Sequence, residues 1–488
     1  MSLWVKKPLE KILQEAEASE HSLKRTLTAT SLISLGIGAI IGAGLFSLTG
    51  IAAANNAGPA IALSFVFAAF GCAFAGMCYS EFSTMIPIAG SAYTYAYATM
   101  GELLAWIIGW DLVLEYAVGA STVSISWSAY FVSILHDLGI ELPPALIASP
   151  WQPVQLPDGQ MVHGLVNLPA VFIVVVLSLL LIKGIKESAS VNTLMVLLKV
   201  TVVIIFIGVG VWYVKPENYT PYIPPNTGTF GEFGYSGIIR AAGIIFFAYI
   251  GFDAVSTAAQ EAKNPQRDMP IGIIGSLLIC TVLYVTFSSV MTGLANYTEF
   301  KDAAAPVAIA IAKTPFGWLK TAIKIAIIAG YTSVMLVMLL GQSRVFFTMA
   351  KDGLLPPYFS RIHDTFRTPY RTNLLFLVFV SLFAAFAPIS VVGEMTSIGT
   401  LFAFVIVCAG VIVMRKKRPD AVRPYRTPLV PLFPILGIVI NLALMLGLGW
   451  SNWLRLLAWL VLGLVIYFSY GRKHSQLRQA EAPVSVGD

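Results

Sequence analysis

Several ionisable residues stand inside long apolar stretches of this 488-residue sequence, among them Asp111, Glu115, Lys199 and Asp253. Ionisable groups in such surroundings are costly, and where they occur they commonly bind a ligand or move a proton. Because burial disfavours the charged form of an amine, Lys199 could release a proton near neutral pH. The alternative is a structural tether that donates hydrogen bonds to backbone carbonyls. We favour the proton-exchanging interpretation.

Asp111 and Glu115 are four residues apart and therefore share one face of a helix. A carboxylate on that face would attract the cationic group of a ligand. It could equally serve as the partner of Lys199, of Arg240 or of a backbone N–H group. Both interpretations remain open from the sequence.

Three other acidic residues suggest mainly structural roles. Asp253 follows Gly251, so its carboxylate could cap the helix that begins there. A part in proton relay is the second interpretation of Asp253. Glu81 and Glu102 lie near the ends of apolar runs, where we expect solvated structural roles.

Glycines interrupt two of the apolar runs. Gly36, Gly38, Gly42 and Gly44 fall within nine residues, and each weakens a helix by about 1 kcal/mol relative to alanine. Such residues can serve close helix packing. They can also break a helix, so that free backbone N–H groups at 42–44 line a cavity. A second run is interrupted in the same way at Gly251, and paired interruptions of this kind point to a transporter binding site.

The composition requires a membrane environment for these elements. Apolar residues make up 57% of the chain and charged residues 11%, whereas soluble domains carry roughly 25% charged residues. A water-soluble enzyme is therefore excluded. The sequence contains no phosphate-binding glycine loop for ATP, and its four cysteines lack metal-site spacing.

Twelve apolar runs are long enough to cross a bilayer as helices. They lie at roughly 28–55, 59–86, 94–135, 166–183, 190–214, 237–260, 271–294, 318–350, 373–388, 393–414, 429–449 and 452–470. The fold class predicted is an all-α polytopic membrane protein with twelve transmembrane helices, of which helices 1 and 6 are broken at mid-membrane.

The basic residues report the orientation of these helices. Most of the 31 Lys and Arg residues fall before the first run or in connections on that same side, and the 136–165 connection has none. By the positive-inside rule, both termini are cytoplasmic. The net charge of +6 therefore reflects topology and gives no reason to expect nucleic-acid binding. The protein is expected in the cell membrane, with an amphipathic amino-terminal segment on the cytoplasmic side.

Several motifs resemble the amino acid–polyamine–organocation (APC) superfamily, and within it the bacterial relatives of the cationic amino acid transporters. The motifs are Gly36-Ile-Gly-Ala-Ile-Ile-Gly-Ala-Gly-Leu-Phe46, Pro87-Ile-Ala-Gly-Ser-Ala-Tyr93, Phe247-Ala-Tyr-Ile-Gly-Phe-Asp253, Glu261-Ala-Lys-Asn-Pro-Gln-Arg-Asp-Met-Pro-Ile-Gly272 and Met349-Ala-Lys-Asp-Gly-Leu-Leu355. The resemblance covers nearly the whole chain.

The resemblance implies the LeuT-type fold, an inverted repeat of five plus five helices followed by two more. The segments are then a cytoplasmic amino-terminal segment (1–27), helices 1–5 (28–214), helices 6–10 (237–414), helices 11–12 (429–470) and a cytoplasmic tail (471–488).

It also implies a substrate site at the two broken helices. Backbone amides would bind the substrate carboxylate, carbonyls would bind its ammonium, and Phe247 would be an aromatic gate above it. The amides are those of Gly42, Ala43 and Gly44, and the carbonyls those of Ile40 or Ile41 and of Phe247, Ala248 and Ile250.

Further roles follow from the same resemblance. Lys199 matches a lysine that takes the place of a sodium ion in proton-coupled members, and Thr332 and Ser333 match sodium ligands of other relatives. Val337 and Met338 would shape the side-chain pocket. Glu115 is a departure, because animal members often carry a small polar residue there.

The function expected is secondary active transport by alternating access: proton-coupled uptake of L-amino acids, including arginine and lysine and small neutral ones such as alanine. An amino acid or polyamine exchanger is the main alternative, followed by a channel or a receptor on the same fold. A membrane enzyme is not expected. Protons are the expected coupling ion, without sodium or another cofactor. The partners expected are the amino acid and the lipid bilayer, with no nucleic acid, and an accessory subunit is left open.

Overall fold

A computed structural model describes residues 5–8, 26–86, 91–155, 161–184, 189–301, 303 and 305–481. The predicted amphipathic helix lies mostly outside these residues, as do the start of the 87–93 motif and the end of the predicted tail. Among the described residues, eight helices are long and apolar enough to cross a membrane, and four apolar helices are shorter.

The fold is built from helices that follow the predicted apolar runs. They are α1 (Ala29–Ile40), α2 (Ile61–Met85), α3 (Ser91–Thr99), α4 (Glu102–Val113), α5 (Gly119–Asp137), α6 (Leu168–Ile182), α7 (Ala189–Gly210), α8 (Gly234–Ile245), α9 (Pro265–Leu294), α10 (Pro306–Ile311), α11 (Gly317–Lys351), α12 (Tyr370–Phe386), α13 (Ile389–Lys417), α14 (Leu432–Gly447), α15 (Trp450–Ile466) and α16 (Gln476–Glu481). A π-helical turn, Leu114–Val118, joins α4 to α5.

One small β element departs from the all-α prediction. In the connection between α5 and α6, Pro153–Gln155 pairs antiparallel with Met161–His163. This connection is rich in proline and polar residues, which do not continue a helix.

The first predicted span is interrupted where its glycines cluster. Helix α1 ends at Ile40, Ile41 is extended, and the chain turns helical again at Gly44–Leu48 with π geometry. Short helical segments then continue the chain as far as Ala60.

The sixth predicted span is interrupted in the same manner. Helix α8 ends at Ile245, a 3₁₀ turn covers Phe246–Tyr249, and Ile250 is extended. Gly251 has φ +120°, a backbone conformation that residues other than glycine rarely adopt. A second 3₁₀ segment then runs over Asp253–Glu261.

The two interrupted segments pack directly on each other through glycine. A Cβ at Gly44 would lie 2.2 Å from Cα of Ala248, and a Cβ at Gly251 would lie 2.8 Å from the carbonyl carbon of Ala39. Contacts this short need glycine on one side. Glycine therefore serves both roles considered above, helix interruption and close packing.

Candidate functional site

Backbone donors are exposed at the break in the first span. Among the hydrogen bonds of the described residues, none uses the N–H groups of Gly42, Ala43 or Gly44 as donor. These groups stand where the helical segment begins again, and free N–H groups at a helix amino terminus bind anions. The arrangement suits a carboxylate.

Tyr284 of α9, which the sequence analysis missed, joins the carbonyl sides of both breaks. Its hydroxyl oxygen lies 3.0 Å from the carbonyl oxygen of Ile40 and 2.9 Å from that of Ala248. One hydroxyl proton serves one carbonyl at a time, and a carbonyl has two lone pairs. Two of the carbonyls predicted to bind the substrate ammonium, those of Ile40 and Ala248, therefore also interact with the Tyr284 hydroxyl. The carbonyl of Phe247 accepts the N–H of Ile250 at 3.2 Å.

Two apolar side chains of α11, those of Val334 and Met338, pack on glycines of other segments. The Cβ position of Gly42 lies 3.4 Å from a methyl of Val334, and that of Gly119 lies 3.4 Å from the Met338 sulfur. Phe247 is buried as well. Val337, predicted as a pocket residue, is half-buried, and the structure places Val334 of the same helix against Gly42.

Lys199 is buried beside the first break. Its Nζ donates to the carbonyl oxygen of Gly38 at 2.6 Å, and its side chain is 1% exposed. The aliphatic part packs on Gly330 of α11, whose Cβ position lies 3.1 Å from Lys199 Cε. This is the geometry of the tether considered as the alternative role of Lys199, and it also holds the amine where α1, α7 and α11 meet.

The two predicted hydroxyl groups of α11 have different surroundings. Ser333 is buried three residues after Gly330, on the helix face that packs on Lys199. The Thr332 hydroxyl donates to the carbonyl of Ile328 at 2.9 Å and accepts the Trp127 indole N–H at 3.1 Å. Thr332 is therefore turned toward α5.

Acidic residues of the third and sixth predicted spans are brought together. The carboxyl groups of Glu115 and Asp253 are neighbours, and the Tyr116 hydroxyl donates to Asp253 Oδ2 at 2.8 Å. Both carboxyl oxygens of Asp111 and of Glu115 lack a hydrogen-bond partner among the described side chains and backbone. Arg240, one partner considered for them, pairs instead with Glu394 at 3.0 Å.

The solvated roles expected for Glu81 and Glu102 are wrong. Glu81 is 1% exposed and accepts two hydrogen bonds from Arg415, each at 2.9 Å. Glu102 is fully buried and accepts from Arg478 Nε at 2.6 Å and from the Tyr467 hydroxyl at 2.8 Å. Chain segments distant in sequence fold over both carboxylates.

The described residues form helical segments of membrane-spanning length, and two of these are interrupted. Together these features define a multi-pass membrane protein. The profile of the family described as amino acid permease matches residues 27–470. The chain therefore belongs to the amino acid permease family of the APC superfamily.

Similar proteins extend over nearly the whole chain. The branched-chain amino acid permease BcaP of Bacillus subtilis is 47% identical, over 98% of this chain and 99% of the relative. The methylthioribose transporter of Bacillus subtilis is 42% identical, over 98% and 100%. The vacuolar cationic amino acid transporter 4 of Arabidopsis thaliana is 29% identical, over 94% of each chain.

Proposed function

We propose that this protein is a secondary active transporter that carries L-amino acids with protons across the plasma membrane. One observation carries the proposal: free backbone N–H groups at 42–44 stand beside the carbonyls of the second interrupted helix. A zwitterion needs donors for its carboxylate and acceptors for its ammonium, and these two sets supply both. We also propose that the helices form twelve spans in the LeuT-type arrangement of five plus five, with both termini cytoplasmic.

The side-chain pocket favours a neutral, branched substrate. Val334 lies against Gly42 and Met338 lies against Gly119, and both side chains are apolar. Apolar walls bind an aliphatic side chain by removing its surface from water. The name of the BcaP relative is consistent with leucine, isoleucine or valine as substrate.

A cationic substrate is the second candidate, and Glu115 is the observation that supports it. Its carboxylate is buried without a partner among the described residues, one helical turn from Gly119. An arginine or lysine side chain extending past Gly119 would meet this negative charge. The cationic transporters among the relatives fit this alternative.

Proton coupling is assigned to Lys199. A fixed amine at the junction of α1, α7 and α11 would exclude a sodium ion by charge repulsion, and a lysine that releases its proton can link the position of α1 to pH. Asp253, beside the second break, is the second group expected to exchange protons.

Reconstitution into liposomes tests the proposal. We expect labelled leucine to accumulate when the outside is more acidic, equally with sodium or potassium in the buffer. Lys199→Ala should abolish this accumulation while leucine still raises the melting temperature of the variant. Accumulation by Lys199→Ala would contradict the coupling role. Uptake that requires amino acid inside the vesicle would indicate an exchanger, and equilibration without accumulation would indicate a channel.

Glu115→Gln separates the two substrate candidates. If Glu115 contacts a cationic side chain, the variant should lose about 1–3 kcal/mol of arginine binding, roughly fivefold to a hundredfold in affinity. Leucine binding should be nearly unchanged. Asp111→Asn is the matched control, because it removes a second buried, unpartnered carboxylate from the same helical face. Equal losses for both substrates in Glu115→Gln would contradict the specificity role.

A further inference from the structure

Buried polar groups without hydrogen-bond partners concentrate in one region of the protein. Among the described residues, most of the buried side-chain atoms that lack a partner belong to six residues, which are Tyr79, Tyr95, Asp111, Glu115, Asp253 and Ser256. Buried polar groups in proteins are nearly always paired with protein or with ordered water. A cluster of exceptions therefore indicates a place built for water or for a transferable proton.

One end of this cluster is Asp253, at the second helix break. The carboxyl of Glu115 is its neighbour, and Asp111 lies one helical turn from Glu115. Tyr116 donates to one oxygen of Asp253, while the other oxygen has no partner among the described residues. The other polar group close to Glu115 is the Thr400 hydroxyl of α13.

Beyond Asp253, the cluster continues along the 3₁₀ segment Asp253–Glu261. Residues three apart are stacked in a 3₁₀ helix, so Ser256 lies directly one turn beyond Asp253, about 6 Å along the axis. The Ser256 hydroxyl is close to the Tyr95 hydroxyl of α3.

Tyr79 of α2 lies beside the same line of groups. Its ring centroid lies 6.5 Å from that of Tyr95 and 5.8 Å from that of Phe252, the residue before Asp253. The Cys408 thiol of α13 lies beside the thiol of Cys78, the residue before Tyr79. All of these side chains are buried, so water reaches them only through the interior.

The line runs toward the face that carries both ends of the described chain. Tyr95 is two residues from Tyr97, whose carbonyl accepts the backbone N–H of Lys7 and whose hydroxyl donates to Glu102. Arg478, near the other end of the chain, binds the same Glu102. This is the face predicted to be cytoplasmic.

We propose that Ser256, Tyr79 and Tyr95 line a narrow hydrated path that carries protons between Asp253 and the cytoplasm. This inference rests on the proposed proton coupling. Ordered waters would bridge the unpartnered oxygens. When Asp253 releases its proton, its O–H bond breaks as the next oxygen accepts the proton. Each hydroxyl or water in the path then accepts one proton and releases another to the next oxygen. For each proton that enters the path one proton leaves it at the other end, and no group is oxidised or reduced.

The test compares proton-driven uptake with exchange in liposomes that contain the full-length protein. We expect the double variant Tyr79→Phe/Tyr95→Phe to accumulate leucine under a pH gradient at a rate lower by about tenfold or more, since positioned proton transfer contributes at least that much. Exchange of labelled for unlabelled leucine needs no net proton transfer, and it should stay within about twofold of the unmodified protein by the same principle. The melting temperature should change little, because among the described residues the Tyr79 hydroxyl has no hydrogen-bond partner and the Tyr95 hydroxyl has only that of Ser256 close to it.

Tyr130→Phe is the matched control. It also removes one fully buried tyrosine hydroxyl, but this one donates to the carbonyl of Phe46 at 2.6 Å. The control should keep its coupling to the pH gradient. Unchanged proton-driven uptake in the double variant, or an equal loss of exchange and proton-driven uptake, would overturn the proposed path. Absence of any pH-driven uptake in the unmodified protein would instead contradict the proposed function.

Discussion

At the scale of single residues, the two glycines at the first break differ in the space available for a side chain. A Cβ at Gly44 would lie 2.2 Å from Cα of Ala248, whereas a Cβ at Gly42 would meet Val334 at an ordinary 3.4 Å. We therefore expect Gly44→Ala to separate the two interrupted helices and to cost about 1–3 kcal/mol of stability, as overpacking does. Gly42→Ala should fold normally.

Melting temperature and leucine binding of the two variants, measured side by side in detergent, check this expectation. Both substitutions keep the backbone N–H, so a difference between them reports helix spacing and not the loss of a donor. Equal behaviour of Gly42→Ala and Gly44→Ala would show that the close contact between the breaks has no role.

Individual side chains show where prediction from sequence stops. Lys199 could be identified because an amine within an apolar run has few explanations. Tyr284 could not, because tyrosine is common in such runs and the sequence does not show where its hydroxyl points. Glu102 was misjudged because proximity to a helix end suggests solvent, while the chain end that covers it lies more than 370 residues away.

At the scale of elements, glycine positions predict the helix interruptions, but not how the interrupted ends are held together. In the structure, Tyr284 of a third helix, α9, connects the two interrupted ends. Its hydroxyl lies within hydrogen-bond distance of the carbonyls of Ile40 and Ala248. We expect Tyr284→Phe to lower stability by about 0.5–1.5 kcal/mol for the hydrogen bond. It should also slow leucine uptake, because the acceptors facing the ammonium are no longer fixed.

Tyr249→Phe is the comparison for this element. Tyr249 also belongs to the second interruption, but its hydroxyl donates to the carbonyl of Phe65 of α2 at 3.1 Å and leaves the carbonyls of Ile40 and Ala248 to Tyr284. Thermal melting and initial uptake rates should show a stability loss in both variants and a larger uptake loss in Tyr284→Phe. If Tyr249→Phe slows uptake as much, Tyr284 has no special part in positioning the breaks.

At the scale of the whole molecule, apolar runs locate the helices, but they do not show how the chain ends are arranged. The structure brings the first and last described segments of the chain to one face. Lys7 pairs with Asp352 at 3.0 Å, the backbone N–H of Gln476 donates to the carbonyl of Asp352 at 3.1 Å, and Arg478 pairs with Glu102. No periodicity or motif encodes contacts between segments so distant in sequence, because each depends on the completed fold.

This arrangement predicts that the carboxyl-terminal segment stabilises the entire membrane domain. Glu102 is fully buried and Arg478 is 5% exposed, so Arg478→Gln leaves a buried carboxylate without its cation, which costs about 3–5 kcal/mol. The melting temperature in detergent should fall accordingly, and Glu102→Gln in the same chain should restore part of it by removing the unpaired charge. The control is Lys313→Gln, which breaks an ion pair with Glu299 whose side chains are 38% and 39% exposed. Exposed pairs contribute only about 0–1 kcal/mol, so this variant should melt nearly as the unmodified protein does. If Arg478→Gln is as harmless as Lys313→Gln, the chain end is a passive attachment and the buried pair does not hold this face together.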